Sequence, residues 1–228
     1  MREKRTIRVL LVILLLLVAA AGGLMLARPH IIERQRLNAE AALIQQIENG
    51  QIQIEIGDIP EMEGEQFAGL EDLGEDYETP EESETEPKVV TGYGLLEIPA
   101  IELKMPLVQG ADSYSLRAAA GWWPESATMG SAGNCVIFGH RMVTYGRHFN
   151  RLDELKEGDE VCLTNTDGKS FTYIVTGSEV ITPSVLVDTL YEHNEGFGLT
   201  LVTCTPTGVG SHRLLVYAQL ENPGSVEE

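Results

Sequence analysis

The polar and apolar positions divide this chain into stretches of different character. The first apolar stretch runs from Val9 to Ala27, 19 residues without a charge. Arg2, Lys4, Arg5 and Arg8 precede it and Arg28 follows it. As a helix it would be about 28 Å long, close to the ~30 Å thickness of a bilayer core. Residues 1–8 then read as a cytoplasmic basic tail and 9–27 as a transmembrane anchor. Basic flanks stay in the cytoplasm, so the remainder is expected outside the cell, held by a single pass. A cleaved signal peptide is the competing reading, with Ala19-Ala20-Ala21 as its small-residue site. The apolar run continues through Leu24, Met25 and Leu26, which favours an uncleaved anchor.

Residues 28–50 predict a juxtamembrane helix. Ile31, Ile32, Leu37, Ala41, Ile44 and Ile47 approximate one apolar face, and Asn49-Gly50 stops it. A simple stalk is the expected role. Residues 51–88 form an acidic linker, polar and interrupted by Gly and Pro, that is expected to be disordered. Within it only Ile52-Gln53-Ile54-Glu55-Ile56 alternates cleanly enough for a short strand. If the tract is a spacer or loose cover, a chain starting near Lys88 should fold and work like the longer one.

From residue 89 to 228 the pattern is that of short strands. Runs at 95–98, 104–108, 135–138, 160–164, 171–175, 180–181, 199–203 and 214–218 are apolar or alternating, with turns at Gly158-Asp159 and Asp167-Gly168. Residues 113–120 are helix-prone. Six to eight short strands with little helix predict an all-β domain, a closed or nearly closed barrel.

Charge sharpens this division. The chain carries 16 basic and 35 acidic residues, a net of −19. Residues 48–87 hold 15 of the acidic residues and no Lys or Arg, so the rest of the chain is close to neutral. No basic stripe exists to neutralise phosphates, which argues against a nucleic-acid partner. The three cysteines, Cys135, Cys162 and Cys204, leave at least one thiol unpaired, and no CxxC or Cys/His cluster suggests zinc. No metal and no cofactor is expected.

Three short stretches carry candidate chemistry. Gly139-His140-Arg141 follows one strand, Thr200-Leu-Val-Thr-Cys204-Thr-Pro206 ends another, and His212-Arg213 opens the last. Thiol catalysis requires a thiolate, an acid/base group and donors for an oxyanion. A Cys, a His and an Arg at strand termini of an exported domain meet that requirement. Strand alternation lets only one of His212 and Arg213 face Cys204. Cys135 and Cys162 sit where small core hydrophobes would suit a strand. His148 and His193 lie in apparent loops, where exposure is the default, and Arg141 reads as a surface charge. Trp122-Trp123 is expected to pack in the core or at the barrel rim.

These residues resemble the sortases of Gram-positive bacteria over residues 92–220. The resemblance rests on the Gly94-to-Pro99 opening, Gly133-Asn134 leading to Gly139-His140, Leu152 to Gly158-Asp159, the TLVTC run ending at Cys204, and Arg213. It implies a closed eight-stranded barrel with short helices behind the N-terminal transmembrane helix. It also implies a peptide transpeptidase with Cys204 as nucleophile, His140 as general acid/base and Arg213 as oxyanion or substrate stabiliser. Thr203 and Thr205, flanking the thiol, are candidate substrate contacts. The implied partners are an LPXTG-like sorting-signal peptide and an amine acceptor, either a cell-wall precursor or a pilin lysine.

The run Thr203 to Pro206 with His212 to Val216 looks like pilus-assembling sortases. Those usually carry a second membrane helix and an Asp-Pro-aromatic lid, whereas this chain has Asp58-Ile59-Pro60 and closes on residues 221–228. The departures favour attachment of proteins to the cell wall. A pilin-polymerising sortase, a Cys-His endopeptidase and a non-enzymatic surface barrel remain as alternatives.

Overall fold

A computed structural model describes residues 2–56, 88–144, 146–193 and 195–223. Residues 57–87 of the acidic tract, with the expectation that they form a disordered linker, lie outside the described residues. One helix, α1 (Arg2–Glu48), runs without interruption through both the anchor and the predicted stalk, with Pro29 inside it. Its apolar residues from Leu11 to Val18 and from Leu24 to Leu26 are exposed, as a helix apolar on every side must be unless lipid covers it. By length and composition it is a candidate membrane span.

Nine strands follow: β1 (Gln53–Ile56), β2 (Lys88–Ile98), β3 (Leu103–Gln109), β4 (Ala120–Trp122), β5 (Gly133–Phe138), β6 (Glu160–Asn165), β7 (Ser170–Ile181), β8 (Phe197–Thr205) and β9 (His212–Leu220). A short helix, α2 (Leu186–Glu192), precedes β8. The sheet order is β1-β2-β3-β4-β5-β8-β9-β7-β6, and pairing of β6 back onto β2 closes β2 to β9 into an eight-stranded barrel. Gly94 permits that closure, since a Cβ there would sit 2.1 Å from the Thr164 carbonyl oxygen on β6. The β3–β4 and β5–β8 pairs are parallel and the others antiparallel.

Alternation along β8 and β9 separates two apolar layers. Leu199, Leu201, Leu214, Val216 and Ala218 point into the barrel with Ile137, Leu163 and Tyr173. Trp122 joins this interior, stacked on Tyr93 at 4.2 Å, as its expected packing role requires. Val202, Cys204 and Leu215 point outward into a second layer with Val136, Phe138 and Trp123, which Leu186 and Leu190 of α2 cover. Asn134 secures that cover: Thr200 Oγ1 donates to its Oδ1 at 2.8 Å, and its Nδ2 donates to the Leu190 carbonyl at 3.2 Å.

The stretch expected to be a free stalk instead lies against the barrel. The buried face of α1 is Ile32, Arg36, Glu40, Leu43 and Ile47, a helical stripe that includes two charges. Ile31 and Leu37, placed by pattern on the apolar face, are exposed. Leu43 and Ile47 pack with Ile54 and Ile56 of β1 onto Val90, Leu95, Val108 and Ala119. The alternation over 52–56 is realised as β1, which pairs directly with β2, from Gln53 opposite Thr91 to Ile56 opposite Lys88.

This packing changes the outlook for a chain begun at Lys88. Such a chain lacks Leu43, Ile47, Ile54 and Ile56 and exposes the apolar face they cover. It is expected to melt below a chain begun at Arg28 when followed by circular dichroism. Ile54→Ala alone should cost about 2–5 kcal/mol, the usual range for a fully buried isoleucine. Equal midpoints for the long and short chains would mean that α1 and β1 rest on the barrel without stabilising it.

Candidate active site

Three strand ends meet at one end of the barrel. β5 and β8 run parallel, with Phe138 opposite Val202, so both deliver their C-terminal residues there. The Gly139 amide continues the pairing onto the Val202 carbonyl at 3.0 Å, and His140 follows immediately. β9 is antiparallel to β8 and therefore begins where β8 ends, with Cys204 directly opposite Arg213 and Thr205 opposite His212. Residues directly opposed in an antiparallel pair share a face. Arg213 thus lies on the thiol's face, and the exposed His212 takes the other. The sequence-predicted residues Cys204, His140 and Arg213 share this end, all three largely buried.

The surrounding contacts hold this arrangement. Arg213 Nη1 donates to the carbonyls of Gly210 at 2.8 Å and His212 at 3.0 Å, so the loop between β8 and β9 braces the guanidinium. The Phe149 amide donates to the His140 carbonyl at 3.0 Å. Phe149 also explains the glycine before His140: a Cβ at Gly139 would lie 2.4 Å from its ring. The ring occupies the space that any side chain at 139 would need.

Thr203 does not reach the thiol's face. It points into the barrel, fully buried, and its Oγ1 donates to the Gly139 carbonyl at 2.7 Å. Strand alternation, applied to Thr203 as it was to His212, already excludes a direct contact on that face. Thr203 ties the end of β8 to the turn that carries His140. Thr203→Val keeps the shape and leaves that buried carbonyl without this donor, so a loss of about 1–3 kcal/mol is expected in denaturant unfolding. An unchanged midpoint would show that the tie contributes nothing to stability. Thr205 is half-buried and accepts a hydrogen bond from Arg141 Nη1 at 3.0 Å.

Arg141 is not the surface charge its sequence context suggests. It is buried, pairs with Asp153 at 2.8 Å and reaches the Cys204 carbonyl at 3.5 Å. His148 also departs from expectation: it is buried, with its ring 6.2 Å from that of His140. Burial holds His148 well below the ordinary histidine range, and the nearby His140, Arg147 and Arg36 lower it further. Neither Arg141 nor His148 gave a signal in the sequence beyond lying close after Gly139-His140.

The other thiols differ from Cys204 in setting. Cys135 faces the barrel interior, and burial pushes its thiol far up, which suppresses the thiolate. Cys162 is only half-buried, not a core residue, and lies 3.9 Å from the Thr172 hydroxyl. Among the described residues, no group of three or more His, Cys, Asp or Glu is placed to hold a metal ion.

Comparison with known proteins agrees with this architecture. A family model for the sortase domain matches residues 96–221, more than half of the chain. Sortase D of Bacillus subtilis (strain 168) is 30% identical over 137 residues, covering 58% of this chain and 66% of that protein. Sortase SrtE1 of Streptomyces coelicolor is 29% identical over 150 residues, covering 59% of this chain and 42% of its own length. The chain therefore spans less than two thirds of these curated relatives. Sortase A from Corynebacterium diphtheriae superposes with a TM-score of 0.52 at 31% identity, over 57% of this chain and 60% of that one. A sortase C structure from Streptococcus pneumoniae, described in terms of pilin substrate specificity, gives 0.52 at 31% identity over 57% of this chain and 66% of that one. With its closed eight-stranded barrel and a family match that runs from β2 to the end of β9, this chain belongs to the sortase family.

Proposed function

We propose that this chain is a membrane-anchored cysteine transpeptidase that joins exported proteins to an amine through a sorting signal. The observation that carries the reading is the direct pairing of Cys204 with Arg213, at the end of the barrel where β5 delivers His140. The Cys204 thiolate attacks the carbonyl before the scissile bond of an LPXTG-like peptide. The electron pair moves onto oxygen, and the Arg213 fork stabilises that oxyanion. As the tetrahedral intermediate collapses, the C–N bond breaks and His140 protonates the departing amine, leaving a thioester on Cys204. An incoming amine then attacks the thioester and gives up a proton to His140. A new amide forms and the thiolate is released.

The partners follow from the same reading: the sorting-signal peptide of an exported protein, and an amine from a cell-wall precursor. A pilin lysine is the second acceptor class, supported by the similarity to the sortase C structure. The basic N-terminus would lie in the cytoplasm and the barrel outside.

The test is mass spectrometry of the full chain in detergent, incubated with a sorting-peptide library and candidate amines. A thioacyl adduct on Cys204 and an amine-linked product are expected. Hydrolysis unaffected by added amine would make the protein an endopeptidase instead. Failure to form any adduct would leave a non-enzymatic barrel.

A further inference from the structure

We propose that Glu40, reaching across from the anchor helix, is a positioning residue for His140, lining the far side of the buried His148 that stands against it and balancing the charge of Arg147 beside it. This rests on the reading of His140 as the proton carrier.

The contacts run in one line. Glu40 Oε2 lies 2.7 Å from Arg147 Nη2 and 3.8 Å from His148 Nε2. Arg147 also meets Glu33, about two helical turns before Glu40, at 3.1 Å. The His148 ring stands nearly perpendicular to that of His140, with centroids 6.2 Å apart. A bridge between Arg141 and His148 and the hydrogen bond from the Phe149 amide to the His140 carbonyl pin the two histidines from the backbone side.

His148 is a costly residue to keep in this place. It is 3% exposed, and neither ring nitrogen has a hydrogen-bond partner. Its backbone has φ of +46° and ψ of −137°, a conformation that residues with a Cβ rarely adopt. Strain and unsatisfied polar atoms persist where the surroundings over-determine them, and they gather at functional sites. The carboxylate and guanidinium groups from α1 and the 141–148 loop supply that determination here.

The charged and titratable groups gathered around His148 and the neighbouring His140 come from several elements. α1 contributes Glu33, Arg36 and Glu40; the following loop contributes Arg141, Arg147 and His148; Asp153 pairs with Arg141; Cys204 and Arg213 come from β8 and β9. Burial raises the Glu40 carboxyl above its ordinary range, and the Arg147 guanidinium works against that rise. His148 is neutral near pH 7 for the reasons given above, so it transmits position and leaves the net field to the ionised groups. Removing the Glu40 charge leaves Arg36 and Arg147 less compensated and disfavours the imidazolium of His140. Removing the Arg147 charge does the reverse. In a partly buried site a unit charge about 10 Å away moves a titration by about one pH unit.

The experiment uses the full chain in detergent micelles. Alkylation of Cys204 by iodoacetamide is followed by peptide mass spectrometry across pH 4–9, in wild type, His140→Ala, Glu40→Gln, Glu40→Asp and Arg147→Gln, with melting by circular dichroism as the fold control. The inflection that His140→Ala removes belongs to His140. Glu40→Gln should move it down by about one unit and Arg147→Gln should move it up. Glu40→Asp, which keeps the charge, should restore most of the wild-type value, and it serves as the folded comparison if Glu40→Gln melts early. Opposite shifts are not expected from residues that merely hold the helix in place. If the inflection stays put in the variants, or moves in one direction in both, the positioning role is overturned and the proposed function stands. If His140→Ala leaves the wild-type profile intact, the proton-carrier reading itself falls.

Discussion

Cys204→Ala is expected to abolish thioacyl formation, while Cys135→Ala and Cys162→Ala keep substantial turnover. The loss should be on the order of 10⁶ in kcat, the scale seen when a serine protease loses its nucleophile. Position separates the three thiols. Cys204 is the only one opposite Arg213 and at the end of the barrel that β5 shares. Cys135 lies on β5 facing inward, where burial keeps it protonated, and Cys162 lies on β6 beside Thr172. Cys135→Ala should lower stability, since its side chain belongs to the barrel interior. Turnover of a sorting peptide, measured with melting as a control, separates these effects. Full turnover by Cys204→Ala would sink the enzymatic reading.

Arg213→Lys is expected to fold normally and lose about 10²–10³ in kcat, the scale for removing one oxyanion donor. Lysine keeps the charge and loses the planar fork. Here the fork has a second task. Its Nη1 is braced by the Gly210 and His212 carbonyls, so the orientation of the other donors is set before substrate arrives. An ammonium cannot hold two carbonyls and face the thiol with a fixed plane. Arg213→Ala should be at least as poor. His212→Ala should be mild, because His212 is exposed opposite Thr205 and its Nδ1 meets only the Ser211 hydroxyl, at 2.9 Å. The measurement is kcat for the three variants on one sorting peptide. A crippled His212→Ala beside a near wild-type Arg213→Lys would reverse the roles assigned to the two faces of β9.

Strand pattern made the barrel legible because alternation and turn residues report burial directly. It also let only one of His212 and Arg213 share the thiol's face, and the resemblance to sortases selected Arg213. What the pattern hid was burial of polar groups. Hydrophobicity along α1 selects Ile31 and Leu37, yet the buried stripe runs through Arg36 and Glu40. A charge becomes a core residue only when its partner is brought to it, and Arg147 and His148 lie more than a hundred residues further along the chain. Arg141 escaped notice for the same reason, since Asp153 and the end of β8 bury it. Helix α2 gave no strong signal because it is short, and only Leu186 and Leu190 face inward. Thr203 is a different case: alternation, applied to it, turns it to the interior, and its nearness to Cys204 in sequence suggested otherwise.

The pairing of β1 with β2 has a consequence for how far the barrel stands from the candidate membrane span. Ile56 sits opposite Lys88, and neighbouring strands are about 4.8 Å apart. The described chain thus leaves the barrel at Ile56 and resumes on it at Lys88, one strand spacing away. The distance from the candidate membrane span to the barrel is therefore set before Ile56. In the proposed arrangement the tether is α1 itself, a continuous helix whose Glu40 stands 13 residues beyond Ala27. At about 1.5 Å per residue, that places the ionic seat of the 141–148 loop roughly 20 Å past the end of the apolar run. Under the proposed function, both substrates would have to present their reacting groups at that height.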